Sequence, residues 1–246
     1  MKIFDAHMHI IDPRFPLSQN QGFKPDPFTK NDYFSRLHDV NIIGGAVVSG
    51  SFQGFDQSYL VHALKQLGPS FVGVTQLPAD TSEAEILRLH QAGVRAVRFN
   101  VKRGGSAHIS HLEPFAKKVF DLVGWHTELY IDGADLPPLI PIIDRLPAVS
   151  IDHLGLSKHG LPHLLRLVEK GVRVKATGFG RLDFDPKPVI KQIYDVNPNA
   201  LMFGTDLPST RAKRPFQLAD IDVIFDSLEK QAENVLYQNA LNWYRK

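Results

Sequence analysis

The sequence predicts an α/β protein of the (β/α)8 TIM-barrel class, with an extended loop after the first strand. Three observations carry that expectation. Short runs rich in β-branched residues alternate eight times with helix-forming segments, the pattern of a parallel sheet with crossover helices. The 246 residues suit one barrel domain spanning positions 1–246. The G-x-G-x-x-G fingerprint of an open dinucleotide-binding sheet is missing after the first strand.

The first strand, residues 3–9 (IFDAHMH), alternates with a period of two. On strict alternation Phe4, Ala6, Met8 and Ile10 share one face, and Ile3, Asp5, His7 and His9 share the other. Prolines at 13, 16, 25 and 27 then forbid regular structure as far as Thr29. A loop of that length in a compact domain is usually functional, and this one is placed to fold over a site as a lid. Residues 30–40 read as the first helix, 44–50 (GGAVVSG) as the second strand, and 57–67 as the next helix. The third strand is 71–77; Ser82 and Glu85 then open a helix as a capping box, and Gly93 stops it. The fourth strand, 94–101 (VRAVRFNV), leads through Lys102, Arg103, Gly104 and Gly105 to a helix over 111–123. The fifth strand is 126–132, followed by a proline-flanked helix over 139–145. The sixth strand is 149–155; Pro162 suits the first turn of the helix after it, which Gly171 closes. The seventh strand is 172–178 with a helix over 187–195, and the eighth is 200–206, before final helices over 217–230 and 233–244.

Composition narrows the function. A chain that is 43% hydrophobic and 22% charged is globular, and a net charge of +2 gives no bulk attraction to nucleic acid or membrane. With no cysteine, disulfides and thiolate metal sites are excluded. No signal-peptide pattern precedes the first strand, and no apolar run has membrane-spanning length. A cytoplasmic location and a small-molecule partner are expected, with neither nucleic acid nor membrane involved.

In barrels of this class the chemistry sits at the C-terminal strand ends. Inward alternation delivers Asp5, His7 and His9 there from the first strand, and Arg98 and Asn100 from the fourth, with Arg103 just beyond. The fifth strand delivers Glu128 and Tyr130, and the sixth delivers His153, in phase with Val149 and Ile151. Lys175 comes from the seventh, with Arg181 in the following loop, and Asp206 from the eighth, in phase with Ala200, Met202 and Gly204. Two histidines two residues apart on a strand point the same way, so both imidazoles reach one metal or one substrate. His7, His9, His153 and Asp206 buried together need partners, because unpaired burial of ionisable groups is costly. Plainer roles are expected elsewhere. Asp152 faces the helix layer, Lys175 is an ion-pair partner, and Glu128 acts either directly or by neutralising Arg98. His38, His62, His90, His108, His111, His126, His159 and His163 lie in helices, loops or strand starts, and most are expected in solvent.

These residues carry a resemblance. Asp5-Ala6-His7-Met8-His9 resembles the D-x-H-x-H opening of the amidohydrolase superfamily. Asp152-His153-Leu154-Gly155 is similar to its D-H-x-G strand end, Gly204-Thr205-Asp206-Leu207-Pro208 to its G-[ST]-D-x-P eighth strand, and Asn239-Ala240 to its terminal helix. The stretch from Gly93 to Asn100 resembles the amidohydrolase-related branch that contains lactonases of pyrone dicarboxylates, sulfomuconolactone and sugar acids. The resemblance implies Asp206 as general base for water. It implies His7, His9 and His153 as groups that polarise a carbonyl, with or without one divalent ion, zinc by preference, held by these histidines and Asp206. It also implies Arg98, Arg103 and Arg181 as carboxylate holders, beside Tyr130 and Asn100. The chain departs from the pyrone enzyme at Leu156, where that enzyme carries a further arginine. It also lacks a fifth-strand histidine and a fourth-strand lysine or glutamate for a second metal.

The expected reaction is therefore hydrolysis of a carboxylated or sugar-acid lactone. The rivals are a metal-dependent decarboxylase of the same superfamily, a metal-dependent nuclease and a non-catalytic ligand-binding barrel. The nuclease would use the same missing fourth- and fifth-strand ligands.

Overall fold

In a computed structural model, which describes residues 1–245, eight parallel strands alternate with helices and each strand pairs with the next. The strands are β1 (Lys2–Met8), β2 (Asn41–Val48), β3 (Phe71–Thr75), β4 (Val94–Asn100), β5 (His126–Tyr130), β6 (Val149–Ile151), β7 (Arg173–Thr177) and β8 (Leu201–Gly204). The principal helices are α1 (Lys30–Arg36), α2 (Ser58–Leu67), α3 (Glu83–Gln91), α4 (Leu112–Val123), α5 (Ile140–Ile143), α6 (Leu161–Glu169), α7 (Pro186–Val196), α8 (Ala219–Leu228) and α9 (Asn239–Tyr244). Chain ends of β8 and β1 close the ring: Asp206 N donates to His7 O at 2.7 Å, and His9 N donates to Leu207 O at 2.8 Å. The architecture is the (β/α)8 barrel that the alternation predicts. Among the described residues no helix is long and apolar enough to cross a membrane.

Two apolar layers follow from strand alternation. Phe4, Ala6, Val48, Val74, Ala96 and Met202 fill the inside of the barrel, while Ile3, Val97, Leu129, Ile151, Val174 and Phe203 face the helices. The C-terminal helix plugs the barrel floor. Tyr244 stacks on Phe4 with ring centroids 5.7 Å apart and donates to Glu128 Oε1 at 2.5 Å.

Two strands depart from strict alternation, and both departures build the site. In β1 the pairing with β2 shifts between Asp5 and Met8. This bulge lets Ala6 and His7 both point inward, and it sends Met8 to the outer layer. Asp5 therefore does not share a face with His7 and His9, as period-two counting expects. Its buried carboxylate faces outward, where it accepts from Thr205 N at 2.8 Å, Thr205 Oγ1 at 2.6 Å and Tyr33 Oη at 2.9 Å. Asp5 is thus a staple across the β8–β1 seam. In β6 the residues facing the helices are Val149 and Ile151, so Ser150 and Asp152 point inward. The expectation that Asp152 faces the helix layer is corrected by this register.

Candidate active site

His153 reaches the barrel mouth by a turn and not by strand phase. It and Leu154 take left-handed φ values of 53° and 50° just after β6, a conformation costly for side-chain-bearing residues. The turn carries the His153 ring to 4.8 Å from His7 and 5.1 Å from Tyr130, measured between centroids. Glycine is required opposite it. Gly178 has φ +63°, and a Cβ there would lie 2.6 Å from His153 Nδ1 and 3.1 Å from Asp206 Oδ2. Gly204 meets the same demand at the seam, where a Cβ would lie 2.7 Å from the His7 amide nitrogen.

His7, His9 and Asp206 converge at the mouth. Asp206 Oδ1 lies 3.9 Å from His7 Nε2 and 3.8 Å from His9 Nε2, and all three side chains are buried. Hydrogen bonding sets the His9 tautomer. Its Nδ1 lies 2.7 Å from Val48 O, a carbonyl that only accepts, so Nδ1 carries a proton and Nε2 is the ring nitrogen turned to Asp206. His7 Nδ1 faces Asp152 Oδ1 at 3.4 Å, while its Nε2 is buried with no hydrogen-bond partner among the described residues. Burial holds His7 down to about 4, so it is neutral at pH 7. Burial likewise depresses His153. His7 Nε2, His9 Nε2 and Asp206 Oδ1 thus face one another, with Oδ1 already accepting from Arg181 Nη2 at 3.0 Å. Three acceptors within 4.8 Å of one another suit a single divalent cation. The donor set fits such an ion.

Arg181 competes for the same carboxylate. Its Nε donates to Asp206 Oδ2 at 2.7 Å and its Nη2 to Oδ1 at 3.0 Å. Burial alone would raise the Asp206 carboxyl, but the charge of Arg181 and the hydrogen bonds it donates hold it far below the usual range. Arg98 is also paired. Its Nε and Nη2 donate to Asp152 Oδ2 at 3.2 and 2.7 Å, and its Nη1 donates to Ser49 O at 2.8 Å. The partner of Arg98 is therefore Asp152 and not Glu128. Glu128 instead takes Lys175, whose Nζ donates to Oε2 at 2.5 Å with both side chains wholly buried. Lys175 Nζ also lies 3.7 Å from Asp152 and 3.4 Å from His7 Nδ1, so this pair fixes the floor of the site. His126, expected in solvent, is buried and bonds Glu128 Oε1 through Nε2 at 3.1 Å.

One cavity gathers most of the expected residues. His9, Arg98, Asn100, Arg103, Tyr130, His153 and Arg181 line it. Arg98 also lies over the Tyr130 ring at 5.1 Å. The loop after β1 covers the mouth as expected. Ile11 and Phe28 pair at its base, and Asn20 at its tip bonds Arg103 O at 3.2 Å and Ser51 Oγ at 3.1 Å. The cavity has a volume of about 30 Å³. Sequence reasoning missed five further lining residues: Gly50, Ser51, Phe52, Thr210 and Arg211. A signal existed for the last, because the loop after Asp206 reads STRAKRP, a cluster of cations beginning at a strand end. Leu156 does not line the cavity.

The ring of strands with His7 at the end of the first, His9 just beyond it and an aspartate after the eighth defines an amidohydrolase-type barrel. The amidohydrolase family profile matches residues 4–246, and the chain belongs to that family. It is 33% identical to 2-pyrone-4,6-dicarboxylate hydrolase of Comamonas testosteroni over 61% of this chain and 51% of the relative, about half of that protein's length. It is 22% identical to 4-sulfomuconolactone hydrolase of Hydrogenophaga intermedia over 96% of this chain and 86% of the relative. Among solved structures, the chain is similar over its whole length to a probable 2-pyrone-4,6-dicarboxylic acid hydrolase from Acinetobacter baumannii, with TM-score 0.85, 22% identity and all of that chain covered. That likeness shows the fold.

Proposed function

We propose that the protein hydrolyses a lactone carrying an anionic group, with Asp206 as the base that activates water. The observation that carries this reading is the placement of Asp206 against His7, His9 and Arg181, with His9 and Arg181 lining a cavity that cationic side chains surround while Asp206 and His7 lie buried behind them. The names of the two curated relatives, both hydrolases of anionic ring substrates, support it.

Water attacks the ring carbonyl carbon as Asp206 accepts its proton. The resulting oxyanion needs positive charge nearby, and Arg181 is the closest cation to Asp206. Collapse of the intermediate breaks the ring C–O bond, and the proton held on Asp206 passes to the departing oxygen. A carboxylate held so far below its usual range is a weak base. Arg181 therefore has two duties. While it bridges both oxygens of Asp206 it suppresses the base, and when it turns toward a substrate oxygen it frees Oδ2 and strengthens the base. Arg98 keeps Asp152 oriented on His7, and Asn100 accepts from Arg103 N at 2.9 Å, shaping the loop that presents that arginine. His7, His9 and Asp206 Oδ1 would hold a divalent ion, zinc by preference. When bound, it would polarise the carbonyl and lower the water pKa toward about 7. The substrate is a small anion in the cytoplasm, and no nucleic acid or membrane partner enters the reading.

A metal-dependent decarboxylase is the second reading, because the same three acceptors suit an ion that binds an aromatic acid. One assay separates the two. A panel of carboxylated, sulfonated and sugar-acid lactones, with aromatic acids alongside, is followed for acid release and for CO2. Ring opening of an anionic lactone with no CO2 supports hydrolysis, and CO2 release without ring opening refutes it.

A further inference from the structure

We propose that Arg211, beside Arg103, is an anion-binding residue of the active-site mouth and selects substrates with a second carboxylate or sulfonate. The proposal deepens the lactonase reading and rests on it for the identity of the substrate ring. Four arginines line the cavity, and they divide into two kinds. Arg98 and Arg181 are neutralised by Asp152 and Asp206. Arg103 and Arg211 form no salt bridge with any carboxylate among the described residues.

Their acceptors are neutral oxygens of one turn. Arg211 Nη1 donates to Asn20 Oδ1 at 3.2 Å and to Gln21 Oε1 at 3.5 Å, Arg211 Nη2 donates to Asn20 O, and Arg103 Nη1 donates to Gln21 Oε1 at 3.4 Å. The Arg211 guanidinium also stacks on the Phe23 ring with 4.5 Å to the centroid. These bonds use part of the five-donor fork and leave Nε and one Nη2 hydrogen of Arg211 without a protein acceptor among the described residues. The cation is fixed in place while its charge is unmet.

The backbone is bent to put it there. Ser209 and Arg211 take left-handed φ values of 67° and 60°, which side-chain-bearing residues avoid. Ser209 Oγ accepts from Phe216 N at 3.0 Å and holds the bend. Like charges brought together at the cavity mouth are unfavourable unless an anion joins them. A planar guanidinium held by stacking is the group that grips a carboxylate or sulfonate with least loss of freedom. Because the same turn, residues 20–23, carries the lid tip, an anion gripped by Arg211 and Arg103 would lie directly beneath the lid.

The test is titration calorimetry with benzene-1,3-dicarboxylate and its monomethyl ester, on the wild type, Arg211→Gln and Arg211→Lys. Binding needs no turnover, so this result is independent of whether any lactone is hydrolysed. The wild type is expected to prefer the diacid by about tenfold or more, from one charge-assisted contact. Arg211→Gln is expected to lose that preference while binding the monoester within about twofold of wild type, and Arg211→Lys to keep part of it. Equal weakening of both ligands would show that Arg211 only pins the lid, and would overturn the proposal. So would an unchanged preference in Arg211→Gln, or a wild type without preference. A Gln variant that fails to fold passes the decision to Arg211→Lys, where full wild-type selectivity or its loss equally on both ligands counts against the proposal.

Discussion

Replacing Glu128 by Gln tests whether the barrel floor is an ion pair that holds the site. Glu128 and Lys175 are both wholly buried, with Nζ to Oε2 at 2.5 Å. The amide keeps the shape and still accepts from Tyr244, but it removes the charge that faces the ammonium. The nearest remaining carboxylate is Asp152 at 3.7 Å, already shared with Arg98. Removing one partner of a buried pair costs about 3–5 kcal/mol, a large part of a total stability of about 5–15 kcal/mol. At about 2–4 °C per kcal/mol for a chain of this size, the melting temperature falls by about 6–20 °C. Differential scanning calorimetry of Glu128→Gln measures it. The double variant Glu128→Leu with Lys175→Met removes both charges and is expected to recover most of the loss. A single-variant shift below about 2 °C, or a double variant no more stable than the single one, would refute the argument from an unpaired buried charge.

Stability should fall as pH drops below neutrality. Burial holds His7 near 4 against an ordinary 6.5, so the unfolded chain takes that proton first and folding weakens between pH 6.5 and 4. Burial pushes Glu128 up, but Lys175 and its hydrogen bonds hold it at about 2 against 4.5, so its contribution drains away from pH 4.5 down to 2. Urea midpoints at pH 7 and pH 5 check the first effect, and a flat profile contradicts it. For metal, protein purified without a histidine tag should carry at most one divalent ion per chain, lost in His9→Gln, because the two candidate triads among the described residues, His7–His9–Asp206 and His7–Asp152–His153, share His7; two equivalents would contradict this. Arg98→Lys keeps the charge but loses the paired grip on Asp152. It should raise KM for an anionic lactone and cost about 1–3 kcal/mol. Equal effects on neutral lactones would place Arg98 in support of Asp152 alone.

Much of this was legible in the sequence, because strand–helix alternation and the residues at strand ends are local signals. His7, His9 and Asp206 converge as expected, and the proline-rich loop lies over them. What failed was phase. A bulge of one residue in β1 reverses every side chain beyond it, so Asp5 left the site for the seam while His7 and His9 stayed. In β6, three residues are too few for alternation to be tested, and a left-handed turn supplied His153 while the strand supplied Asp152. Pairing of charges was equally hidden. The sequence shows that Arg98, Glu128, Asp152 and Lys175 exist, but which anion meets which cation depends on register between neighbouring strands. Arg211 escaped notice because it reaches the cavity through a bent loop and not along a strand.

The central claim, that Asp206 activates water for lactone opening, is tested most directly by turnover of Asp206→Asn on a lactone that the wild type opens. The amide keeps the shape and cannot accept the proton, and a positioned base is worth about 100- to 10,000-fold. The account predicts a fall in kcat of at least about 100-fold, with the circular dichroism spectrum unchanged. Turnover within a few-fold of wild type would contradict it and remove Asp206 from the mechanism.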